Sequence, residues 1–84
     1  MSNVRHALVL HLAGGNQPVL IEVAADAAGA LAGRLPDLVR VAGVESIDAA
    51  NGMRVAIDFG AVQVAFVDEV SVVGKLYGSP PRDR

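Results

Sequence analysis

Apolar and polar positions alternate from Arg5 to Leu12, with Leu8, Leu10 and Leu12 on one face and Ala7, Val9 and His11 on the other. A period of two marks a strand, here with one strongly apolar face. Gly14, Gly15, Asn16, Gln17 and Pro18 then supply turn residues, and Val19 to Val23 resumes an extended, β-branched run with Glu22 as its polar position. The two runs predict a hairpin in which Glu22 is exposed. Pro18 falls at a strand start, where its missing N–H does least harm.

From Ala24 to Leu35 the period lengthens, and Ala24, Ala27, Ala28, Leu31 and Leu35 share one helical face. Asp26 suits the positive end of such a helix and Arg34 the other end, and Pro36 is expected to stop it. Gly29 and Gly33 lie one turn apart and together cost about 1 to 2 kcal/mol of helix propensity relative to alanine. With Ala25 they form a smooth ridge, which reads either as a surface for close packing or as tolerated compositional drift. Residues 37 to 43 have two readings: Asp37 caps an extra turn through Arg40, or Leu38 to Val41 is already extended.

Asn51-Gly52 is the clearest local signal, because both residues tolerate positive φ and extended runs flank them. A two-residue loop would set Glu45 against Asp58. A three-residue loop, Ala50-Asn51-Gly52, instead sets Asp48 against Arg54 and Ile47 against Val55, pairings that favour it by about 0.2 to 1 kcal/mol each. Strands at Val44 to Ala49 and Met53 to Phe59 follow. Gly60 marks a bend, with the Asp58 carboxylate expected to cap its N–H. Val62, Val64 and Phe66 are then expected to face the core, alternating with Gln63, Ala65 and Val67.

The order is ββαββ(β), without an internal repeat or a second domain. It predicts an α+β fold: a curved antiparallel sheet of four to five strands carrying one short helix, as a two-layer sandwich that is open in preference to barrel-like. The domain is expected to span residues 1 to 79. From Gly78 to Arg84 the chain has no apolar content to bury and is expected to be disordered, residues 80 to 84 forming a Pro/Arg tail beyond the domain.

Composition changes this picture in one respect. The chain is 52% hydrophobic over 84 residues, with 14 valines and 14 alanines, and a domain of this size hides only about 60 to 65% of its unfolded surface. With Val62, Val64 and Phe66 assigned to the core, Val67, Val70, Val72, Val73, Leu76 and Tyr77 are left over as a candidate interface, and self-association is the expected outlet. The segment from Val70 to Tyr77 reads as a last edge strand or as an arm lying on a neighbour. No stretch reaches the roughly 18 uninterrupted apolar residues of a membrane span, and no signal-peptide pattern is present, so the expected location is cytoplasmic.

Groups that do chemistry are scarce: there is no Cys, the only histidines are His6 and His11, and the net charge is −2. The two histidines are five apart on one strand and point to opposite faces, so they cannot share a local metal site. No catalytic, cofactor-binding or metal residue is assigned, and no cofactor is implied. The alternative to an assembly protein is a small-ligand or metal-binding protein, or an enzyme, with a subunit-boundary site drawing on His6, His11 and Asp58. A third reading, an RNA- or single-strand-binding β module, needs stacking aromatics and a basic groove. Without residues 80 to 84 the chain has eight acids and five bases, which argues against nucleic acid. The leading expectation is a non-catalytic, homo-oligomeric accessory or interaction protein. Its partners are itself and unidentified protein, with no membrane.

Overall fold

In the computed structural model, residues 4 to 70 and 76 to 80 are described. The elements run β1 (Arg5–Leu12), β2 (Val19–Val23), α1 (Ala25–Val41), β3 (Val44–Asp48), β4 (Arg54–Asp58), a short 3-10 turn (Phe59–Ala61) and β5 (Val62–Val70). The fold is α+β and is not a closed barrel. Its five strands form two antiparallel sheets, β2-β1-β5 and β3-β4, instead of the single sheet of four to five strands that the patterning suggests. The division falls at the helix, which separates the first hairpin from the second in the chain.

Alternation in β1 translates directly into burial. Leu8 and Leu10 join one core with Ile21 and Val23 of β2, Leu31, Leu35 and Leu38 of α1, and Ile47, Ile57 and Phe59 of the second hairpin region. Removing an aliphatic side chain from water stabilises by about 1.5 to 3 kcal/mol, so this shared cluster holds helix and hairpin against the inner face of the larger sheet. In the second hairpin, Ile47 pairs with Val55 and Asp48 with Arg54, the register of the three-residue loop. Gly52 takes φ +88, its N–H donates to Ala49 O at 3.0 Å, and Met53 N–H donates to Asn51 Oδ1 at 2.9 Å.

Pro36 does not stop the helix, which continues to Val41. Leu38 extends the buried face of Ala28, Leu31 and Leu35. Burying it offsets much of the roughly 3 kcal/mol that an interior proline costs, and Ala32, whose carbonyl loses its helical donor, is exposed to water. Asp37 pairs with Arg40 at 2.7 Å on the exposed side. Ala24 and Ala27, placed by sequence on the inner face, are exposed. The glycine ridge does not pack closely either, since a Cβ at Gly29 or Gly33 would meet nothing within 4 Å.

Two further expectations are corrected at the edge of β2. Glu22 is buried, at 7% exposure, because the chain returns to cover it. Tyr77 lies beside β2 in a parallel bridge with Ile21, donating to Leu20 O at 2.9 Å and accepting from Glu22 N–H at 2.7 Å. Ser79 Oγ donates to Glu22 Oε1 at 2.8 Å, and Arg5 approaches the same oxygen at 3.6 Å. Gly78 and Ser79 are therefore held in place through polar contacts, despite having no apolar content. The tip of the second hairpin is bound by β2 and by this segment together: Ala50 N–H donates to Glu22 O and Asn51 N–H to Gly78 O. Among the described residues no helix is long and apolar enough to cross a membrane.

Candidate functional site

The most distinctive surface lies along β5, and an extra residue in that strand creates it. Opposite β1, His11 pairs with Val64 and Leu12 with Val62, so Gln63 is left over as a bulge. A strand alternates faces with period two, and one inserted residue moves every later side chain to the other face. Val62 is buried, as expected, but Val64 and Phe66 are 51% and 39% exposed, while Ala65 and Val67 pack against the core. The expectation that Val62, Val64 and Phe66 all face inward is thus corrected from Val64 onward, and Phe66 is not a core aromatic.

On the outer face, the His11 and Phe66 rings stack with centroids 6.1 Å apart and planes inclined by 22°. Beside them Val9 is buried under its cross-strand neighbours Leu20 and Phe66. On the inner side, a groove of about 480 Å³ runs between β5 and the helix, its walls formed by Ala32, Leu35, Pro36 and Val39 and by residues 63 to 67. Among the described residues β5 pairs only with β1, so its second edge presents open backbone groups. Asp68 and Glu69 are the only charges on this strand, and both sit at its C-terminal end. Asp68 Oδ1 accepts from the Glu69 N–H at 2.9 Å.

Of the interface residues picked from sequence, Val67 and Val70 are half-buried, Leu76 is half-buried, and Tyr77 is 54% exposed in its bridge to β2. Val72 and Val73 lie outside the described residues. Sequence reading missed Val64 and Phe66, because Gln63 is not a turn residue; a polar residue between two valines at the start of the strand was the one sign of the bulge that exposes them.

The alternative site is not assembled. His6 is half-buried at the other end of β1 from His11 and lines a shallow depression with Ala28, Gly29, Val67 and Glu69. Its Nδ1 is buried without a hydrogen-bond partner. His11 is exposed on the opposite face, against Phe66. Asp58 accepts from Gly60 N–H at 2.9 Å, the turn-capping role expected of it, at the entrance to a crevice lined by Leu10, Leu12, Val19 and Val55. No group of three or more His, Cys, Asp or Glu side chains suited to a metal occurs among the described residues. Compared with known proteins, the chain matches no family model, no curated protein and no solved structure.

Proposed function

We propose that the protein is a non-catalytic, self-associating accessory protein that acts through protein contacts. The observation supporting this reading is the open edge of β5, a nine-residue strand whose Val64 and Phe66 stand exposed. Long apolar edges are templates for strand pairing, and soluble proteins usually blunt them with lysine, proline or inward charge. β5 has no lysine or proline, and its only charges are confined to its last three residues. Apolar groups flank the edge above, below and alongside, which suits a protein partner better than a polar ligand.

Size-exclusion chromatography with light scattering on the full chain tests the reading. The expected result is a mass at least twice 8.6 kDa at micromolar concentration. A monomer under those conditions would refute it.

A further inference from the structure

We infer that the partner at β5 is a second copy of this chain, joined by antiparallel β5-to-β5 pairing about a twofold axis at Ala65. The inference rests on the self-association proposed above and specifies its geometry. Two sheets joined edge to edge become one sheet of order β2-β1-β5-β5-β1-β2, with the outer faces of both subunits on the same side. Residues opposed across such a pair share a face, so only registers that set Val64 and Phe66 against outer-face positions are allowed.

Charge selects among them. Parallel pairing in register would stack Asp68 on Asp68 and Glu69 on Glu69. Antiparallel registers centred on Asp68 or Glu69 oppose like charges directly, which is unfavourable. Centring on Phe66 sets Val64 against Asp68, and centring on Val67 sets Phe66 against Asp68. Centring on Ala65 sets Val64 against the partner's Phe66 twice and confines regular pairing to residues 63 to 67, because the bulge at Gln63 breaks the alternation of faces; Asp68, opposite Val62, falls outside it. It also places the smallest side chain of the strand at the axis, where two identical residues must meet. On the inner side it brings the partner's Val67 next to Gln63, at the groove lined by Leu35, Pro36 and Val39. The edge is thus self-complementary about Ala65, its neutral apolar residues opposing one another with the acids outside the pairing.

The chain has no cysteine, so any disulfide formed by a single-cysteine variant is between subunits. Opposed residues in an antiparallel pair have Cα atoms about 4.5 to 5.5 Å apart, within disulfide range. Ala65→Cys is expected to give a covalent dimer under mild oxidation. Glu69→Cys is expected to stay unlinked, because the proposed register separates its two copies by roughly 27 Å along the strands. Independently, the double variant Val64→Lys, Phe66→Lys changes two exposed positions and is expected to elute as a folded monomer with an unchanged far-UV circular dichroism spectrum.

An oligomeric wild type in which Glu69→Cys cross-links, or in which the folded double-lysine variant stays associated, overturns this geometry and leaves the self-association proposal standing. A monomeric wild type overturns both. If Ala65→Cys fails to fold, the double-lysine variant decides.

Discussion

Ala42 closes α1 in the left-handed region at φ 60, its N–H donating to Leu38 O at 3.0 Å, while the adjacent Gly43 comes one residue too late to take that role. An L-residue in this conformation costs about 1 to 2 kcal/mol, and glycine does not incur that cost. Ala42→Gly is therefore expected to stabilise the protein by about 1 kcal/mol, seen as a higher urea midpoint at unchanged slope. Gly78 is the converse case. It holds φ +77, and a Cβ there would stand 2.5 Å from the Ala49 Cβ. Gly78→Ala is expected to destabilise by about 2 kcal/mol or more, through backbone strain together with overpacking, with a correspondingly lower Tm. It would loosen the contact between the Tyr77–Ser79 segment and the tip of the β3-β4 hairpin. Asp58 shows a residue whose role was legible beforehand: an acid followed two positions later by a glycine at a bend has its own local acceptor geometry, and the carboxylate caps Gly60 as expected. Glu22 was not legible, because its burial depends on Tyr77 and Ser79, more than fifty residues along the chain.

At the scale of elements, local periodicity identified the two hairpins, the helix and the order of elements along the chain. The register of β3-β4 followed from the opposite charges of Asp48 and Arg54 together with the matched β-branched pair Ile47 and Val55. Two elements escaped this reasoning for different reasons. Pro36 is a local signal to stop, outweighed by the tertiary burial of Leu38 two residues on. β5 has a regular pattern that is read correctly only if the bulge at Gln63 is known, and the bulge is a property of its pairing with β1. The helix also permits a test of the two readings of Gly29 and Gly33. Since a Cβ at either meets open space, the double change to alanine is expected to raise stability by about 1 to 2 kcal/mol in thermal or urea unfolding. A loss of stability would show that the ridge packs against something in solution.

At the scale of the whole molecule, the apolar surplus divides between one shared core and the surface, where Val64 and Phe66 of β5 are exposed, as are Val41, Val44 and Met53 elsewhere. If a second copy binds the folded chain and not the unfolded one, mass action makes apparent stability depend on concentration. The Tm of the wild type is expected to rise with protein concentration across the micromolar range. The Val64→Lys, Phe66→Lys variant is expected to show a Tm independent of concentration. A wild-type Tm that does not move with concentration would count against assembly linked to folding.

The sequence by itself determined what depends on neighbours along the chain: the strand and helix periods, the Asn51-Gly52 loop, the opposite facing of His6 and His11, and the α+β class. Tertiary structure alone decided what depends on residues distant in the chain. It extended α1 past Pro36 because a buried leucine lay beyond. It divided the strands into two sheets and buried Glu22 beneath a returning segment. It also turned Val64 and Phe66 outward, because one unpaired residue in β5 reverses every side chain after it.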